Sequence, residues 1–353
     1  MDILQSTVQN IDDPRHKLWF MRVAGMIYGF AVGDALGLQC DKMTNEAIKY
    51  RHPSGVKSFH PKREYVKNGI RNGDWTDETD QLIVAMDTMI NTGWRFCKYT
   101  FATLLAQWGE HGFKEFGDTV GQSITGYLYR LISTEGFKND PHGIAAGFNN
   151  PSIRATNEAM TRVPILSVSK KWMPTVIDSV LCTNSDPRCI TTAIVYGNLL
   201  HGILMPSFDI VQDDDEYLRE MINTIAARYI DDVHQIEYER YMRIYFVEPE
   251  NVLKYLGLDS DEMENTFVTL GVILYAFRAC RERVMLEDQY DDIYTDIVLN
   301  VINHGGDTDG NAAHAGSIVA AILGYKFVPP KWIEHLLYNS WLAAKFITFL
   351  SAC

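Results

Sequence analysis

The stretch "NHGGDTDGNAAHAGSIVAAILG", residues 303–324, decides the fold by what it lacks. Two glycines loosen the backbone, and Asp307, Thr308 and Asp309 follow. The segment after them has almost no charge and is built from Ala312, Ala313, Ala315, Gly316, Ala320 and Ala321. Small side chains let another helix approach closely. The stretch therefore predicts a buried helix whose acidic start is buried with it. Burying two carboxylates is costly unless a cation or metal compensates them. Two readings stay open on these residues. Either the acids hold a cation, or Asp307 caps the helix while Asp309 meets an arginine.

Similar arrangements stand further out along the chain. "NGDWTDETDQL", residues 72–82, crowds Asp74, Asp77, Glu78 and Asp80 ahead of an apolar segment. Taken alone it reads as a helix N-terminus, where carboxylates and Thr hydroxyls satisfy free N–H groups. The sharper alternative is a hard-cation site, since a divalent ion neutralises clustered oxygen ligands. "GMIYGFAVGDALGLQCDKM", residues 25–43, again lines a helix with glycine and alanine, with Asp34 inside it and Asp41 at its exit. If the three acidic helix ends converge they make one ion site. Periodicity does not establish that convergence.

Helical spacing dominates the rest. Leu82, Ile83, Met86, Met89 and Ile90 share one face, as do Leu218, Met221, Ile222, Ile225 and Ile230. "NTFVTLGVILYAFRACRERV" is apolar nearly all round and predicts a central helix. Ile293, Ile297, Val298, Val301 and Ile302 predict another that stops at Gly305 and Gly306. No alternating run bounded by hairpin turns is found. "NDPHGIAAGFNNPS" and "NSDPRC" read as loops, and the run Asp213 to Glu216 reads as a solvated helix start. The expectation is one compact, mainly α domain.

Composition bounds the function. The chain has 353 residues, 46% hydrophobic and 22% charged, with a net charge of −13. That balance is globular and argues against a nucleic-acid surface, which needs a basic face. The opening residues lack the order of a signal peptide, and the later apolar runs are too short to span a bilayer. Six scattered cysteines without a CxxC pair suggest reduced thiols in a cytoplasmic compartment.

The segments "GDALGLQCD", "WTDETD" and "GGDTDG", in this order, resemble the motifs of the ADP-ribosylglycohydrolase family. "FKNDPHGIAAGF", "ATNEAMTRVPILS", "NSDPRC" and "VPPKWIEHL" resemble its eukaryotic-type branch more closely. The resemblance runs from Gly25 to about Trp341. It implies an all-α orthogonal helical bundle spanning residues 21–353, with residues 1–20 as an extension. It further implies a monomer that holds two Mg2+ or Mn2+ ions and acts on ADP-ribose or an ADP-ribosylated protein. By motif position Thr76, Asp77, Glu78, Asp307 and Asp309 are the metal ligands, with Asp41, Asp77 and Glu78 in the chemistry. Gly117, Asn157, Glu158, Met160 and Arg162 fall where the family shapes its ADP-ribose pocket. For Arg162 the alternative is a surface or structural ion pair.

Departures gather at the chemistry. Asp41 stands for Glu, Glu78 for Asp, Gly310 for a ligand Thr, Glu158 for Gly and Asn184 for a common His. A Glu at 158 would clash with the nucleotide or repel its phosphates. Two functions follow: a metal-dependent hydrolase that removes ADP-ribose from a side chain or small acceptor, and a pseudoenzyme that binds ADP-ribose or a partner protein. The retained carboxylates favour the hydrolase, while Glu158 and Gly310 favour the binder.

Overall fold

Four glycines at a spacing of four explain the centre of the molecule. In the computed structural model, described for residues 3–62, 66–67, 70–112, 126–148, 155–286 and 290–352, they face a single neighbouring helix. The first helices are α1 (Ile3–Gln9), α2 (Pro14–Gly37), α3 (Asn45–Arg51), α4 (Asp77–Asn91), α5 (Lys98–His111) and α6 (Gly126–Ile132). Next come α7 (Pro141–Phe148), α8 (Val163–Leu166), α9 (Trp172–Leu181), α10 (Pro187–Leu204), α11 (Asp215–Tyr229) and α12 (Gln235–Tyr245). The last are α13 (Pro249–Leu256), α14 (Thr266–Met285), α15 (Tyr290–Asn303), α16 (Thr308–Leu323), α17 (Pro330–His335) and α18 (Asn339–Ser351). Strand structure among the described residues is limited to pairs of two residues. β1 (Met43–Thr44) and β2 (Val66–Lys67) pair antiparallel with β4 (Gly305–Gly306) and β3 (Ile70–Arg71) respectively. The protein is all-α.

α2 and α16 pack backbone to backbone. A Cβ at Gly25, Gly29, Gly33 or Gly37 would lie 2.2–2.3 Å from the carbonyl oxygen of Ala320, Gly316, Ala312 or Thr308 in turn. The pairing runs in opposite directions along the two helices, so the end of α2 lies at the start of α16. A methyl group has no room there. Overpacking of this kind costs roughly 1–3 kcal/mol. Around this pair α14 and α15 pack on α16, and α10 and α4 close further sides.

Residues Pro14–Cys40 are long and apolar enough to cross a membrane by length and composition, but the apolar window is 100% buried inside the protein. Its apolarity serves the core. Ahead of it, α1 packs on α2 and α18, with Leu4 fully buried.

Two stretches read as loops hold helix starts instead. Asp140 accepts the Gly143 N–H at 3.1 Å and Pro141 opens α7. Asp186 accepts the Arg188 N–H at 2.8 Å and Pro187 opens α10. Asp-Pro supplies a cap and a preset φ, so the same dipeptide that signals a turn also begins a helix.

Candidate metal centre and active site

Three helix ends meet at one place. Asp34, fully buried in α2, accepts the Thr76 N–H at 3.0 Å and its hydroxyl at 2.8 Å. It also accepts the Thr79 N–H at 3.0 Å and hydroxyl at 2.6 Å. Asp34 thereby clamps the start of α4 to α2. Thr308 donates to the Gly37 carbonyl at 2.8 Å, which ties the start of α16 to the same end of α2. The β1–β4 pair brings Asp41 alongside, because Met43 and Thr44 stand opposite Gly306 and Gly305. Both glycines have positive φ, +84° at Gly305 and +79° at Gly306, and a Cβ on Gly306 would lie 1.7 Å from the Leu258 carbonyl. Only glycine makes this turn.

Of the four acids in residues 72–82, two are structural. Asp80 accepts the indole N–H groups of Trp75 at 2.8 Å and Trp108 at 2.9 Å. Asp74 accepts the Trp75 backbone N–H at 3.0 Å. Thr76 is the N-cap of α4, its hydroxyl oxygen accepting the Glu78 N–H at 3.4 Å, so the helix-start reading holds for it. Asp77 and Glu78 face the other way, toward the start of α16.

There Asp41, Asp307 and Asp309 each offer a carboxylate oxygen, and these oxygens lie within 4.8 Å of one another. Asp307 makes no side-chain cap bond, and among the described residues no arginine pairs with Asp307 or Asp309. Capping and arginine pairing, open at the start, are thus set aside by geometry. Instead Asn157 donates to Asp307 Oδ2 at 2.7 Å and to the Thr269 hydroxyl at 2.9 Å. A Cβ on Gly310 would lie 2.8 Å from Asp307 Oδ2 and 3.3 Å from Glu78 Oε1. The missing side chain therefore lets the carboxylates of Asp307 and Glu78 close in on this position.

The electrostatics follow from this crowding. Burial, then the charge of Asp309, pushes the Asp34 carboxyl up to about 7. Burial and Asp309 likewise push Asp307 to about 7, against Lys42 and Asn157. Burial and Asp41 do the same for Asp309, also to about 7. Burial raises Asp77 well above its ordinary value, with Glu158 and Asp309 adding to it. For Glu78 the causes are burial, then Asp77, Asp307 and Asp309. Mutually destabilised carboxylates with only oxygen donors fit a hard divalent cation. The residues present fit magnesium or manganese.

The remaining motif residues separate. Asn157 and Glu158 are buried beside the acids, and after burial the Glu158 charge does most to raise the Asp77 carboxyl. Its carboxylate joins the acidic group, a placement that motif position alone did not indicate. Met160 and Arg162 follow on the same segment and are fully buried. The Met160 sulfur accepts from the Thr266 hydroxyl at 3.2 Å. Arg162 donates to the Ser179 carbonyl at 3.3 Å and the Thr183 hydroxyl at 2.6 Å, and lies over the Phe101 ring. Arg162 is buried rather than a surface ion pair, and the Glu158 carboxylate is among the charges near it. Asn184 accepts the Asp186 N–H at 2.8 Å just before α10. Gly117 lies outside the described residues. Lys42 is the neighbour that sequence reading did not single out, and Asp34, named with the third acidic unit, holds the start of α4.

Residues 15–350 match the family described as ADP-ribosylglycohydrolase. The chain belongs to the ADP-ribosylglycohydrolase family. It is similar to ADP-ribosylarginine hydrolase Tri1 of Pseudomonas putida (strain GB-1), at 24% identity over 325 residues, covering 90% of this chain and 75% of that one. ADP-ribosyl-[dinitrogen reductase] glycohydrolase of Rhodospirillum rubrum is 22% identical over 315 residues, 89% of this chain and 90% of that one. Among solved structures, a chain of an "ADP-ribosylglycohydrolase-related protein complex" superposes with a TM-score of 0.64 at 18% identity. It covers 94% of this chain and 98% of that chain, a likeness of fold.

Proposed function

We propose that the protein is a divalent-metal-dependent hydrolase that removes ADP-ribose from a modified side chain or small acceptor. The observation that carries this reading is the convergence of Asp41, Asp307 and Asp309, with Asp77 and Glu78 on the facing helix start. In the reaction, water adds its oxygen to the anomeric carbon of the ribose and the bond to the acceptor breaks. One proton of the water goes to the departing acceptor. Asp41, Asp307, Asp309, Asp77, Glu78 and the Thr76 hydroxyl would hold two Mg2+ or Mn2+ ions, which supply Lewis acidity and a more acidic bound water. Asn157 keeps Asp307 oriented through its 2.7 Å bond. Asp34 keeps the α4 wall in place, and a carboxylate of the cluster moves the proton.

The names of the matched relatives make ADP-ribosylarginine the first substrate to test. The quoted loop segments support a place near the eukaryotic-type branch, although the relatives reported above are bacterial. The free thiols at Cys97, Cys182, Cys189 and Cys280 support a reducing, cytoplasmic setting. The test is release of ADP-ribose from arginine-, serine- and small-molecule-linked substrates with Mn2+ or Mg2+, and its loss on chelation. A second reading, binding without turnover, is favoured by Glu158 beside Asp77 and by the absent side chain at Gly310. Metal-dependent ADP-ribose binding with no release from any substrate would select it and sink the hydrolase.

A further inference from the structure

One cation stands at the rim of the acidic group. The Lys42 ammonium contacts the Glu264 carboxylate and lies 3.8 Å from Asp307 Oδ1. Both Lys42 and Glu264 are about half exposed, whereas Asp307 is buried. The lysine is held in position by its backbone. Lys42 has a φ of +59°, a left-handed conformation uncommon for a residue with a side chain. Its N–H donates to the Gly306 carbonyl at 2.8 Å, one residue before Asp307. Glu264 is fixed to the same site, since its carbonyl accepts the Asn157 N–H at 2.9 Å while the Asn157 amide holds Asp307. Strained backbone that persists at a site is over-determined by its surroundings.

We propose that Lys42 and Glu264 form a built-in counter-cation pair that sets how tightly the acidic site holds divalent metal. The Lys42 ammonium competes with the ion for Asp307, and Glu264 draws the ammonium away from it. This inference rests on the metal reading of the site and adds its regulation by a tethered charge. An ammonium this close to a ligand oxygen opposes a bound dication by like-charge repulsion. Moving it toward Glu264 relieves that repulsion. Glu264 thus acts on the metal through Lys42, as a positioning residue.

The experiment is a calorimetric titration of the metal-free protein with Mn2+, using wild type, Lys42→Met, Glu264→Gln and the double variant. Lys42→Arg serves as the conservative control. Thermal melting of each metal-free protein checks that the fold survives, which the exposure of both side chains favours. The expected result is tenfold or greater tightening in Lys42→Met and near wild-type affinity in Lys42→Arg. Glu264→Gln should weaken binding severalfold in the presence of Lys42 and change nothing in the Lys42→Met background. Wild-type binding with no tightening in Lys42→Met would overturn the inference and leave the metal site standing. An equal effect of Glu264→Gln in both backgrounds would also overturn it, because plain through-space charge would then account for Glu264. Absence of Mn2+ binding in all five proteins would remove the metal reading and this inference together.

Discussion

The acidic residues that open α11 and those that open α16 have the same chemistry and opposite surroundings. At α11, Asp214 accepts the Tyr217 N–H at 2.9 Å and caps the helix. Asp215 pairs with Arg278 at 2.6 Å and lies 3.6 Å from Arg281. At α16, Asp307 caps nothing, and its oxygens and those of Asp309 turn toward Asp41. Both runs sit at the positive end of a helix, so the dipole does not distinguish them. The difference lies in what the neighbouring helices contribute. α14 brings two arginines to α11, whereas α2 and α4 bring further carboxylates to α16. The acidic start of α11 is paired by arginines of its own protein, whereas among the described residues the start of α16 meets other carboxylates and one lysine at its rim.

The widest separation between the two regions is expected from charge removal. Asp307→Asn should weaken Mn2+ binding by about 100-fold or more, because an amide keeps the shape and loses the charge that holds a dication. It should not lower the metal-free melting temperature, since one repulsive partner of Asp309 is gone. Isothermal titration and thermal melting measure the two effects. Destabilisation of the metal-free protein by this variant would show that Asp307 is a structural acid like those of α11.

pH should expose the same contrast. Asp34, Asp307 and Asp309 titrate near 7 in the folded metal-free protein, above the ordinary carboxylate value. A raised folded pKa means the native state binds more protons than the unfolded state between about 4 and 7. The stability they contribute is complete below the unfolded pKa and lost as pH rises through about 7. The metal-free melting temperature should therefore fall between pH 5 and 8, and added Mn2+ should flatten that fall. A metal-free protein equally stable at both ends of this range would contradict the crowding.

A smaller effect is expected from Gly310→Ala, whose methyl would press on Asp307 Oδ2 from 2.8 Å. Metal affinity should drop by about tenfold as Asp307 shifts, with the α16 helix intact or strengthened. Unchanged affinity would mean that the space beside Glu78 has no bearing on the ion. The smallest effect belongs to α11. Asp214→Ala should cost about 1 kcal/mol of stability through loss of the cap and leave Mn2+ binding untouched. Any change in metal affinity there would blur the line between the two acidic runs.

Much of the architecture was legible before any coordinates. Apolar residues three and four apart marked α4, α11 and α15, and the near absence of charge in residues 312–323 marked α16 as central. These are local properties, because helix periodicity and side-chain size are carried by consecutive residues. The glycine and alanine content of residues 25–37 likewise announced a close helix contact, and the ordered motifs pointed to the family. The capped starts of α7 and α10 were hidden because Asp-Pro serves a turn and a helix equally well.

The sequence by itself therefore determined most of the helices, the small-residue faces of α2 and α16 and the acids available for a site, while the pairing of those two helices came from the tertiary structure. Only the tertiary structure decided which acids those are. It gave Asp80 to two indoles, Asp34 to four donors of Thr76 and Thr79, and Asp215 to Arg278. It left Asp41, Asp307 and Asp309 facing one another, and set Lys42 at their edge. The physical reason is that a carboxylate's role depends on the donors and charges within a few ångströms. For these acids the decisive partners come from helices far away in the chain.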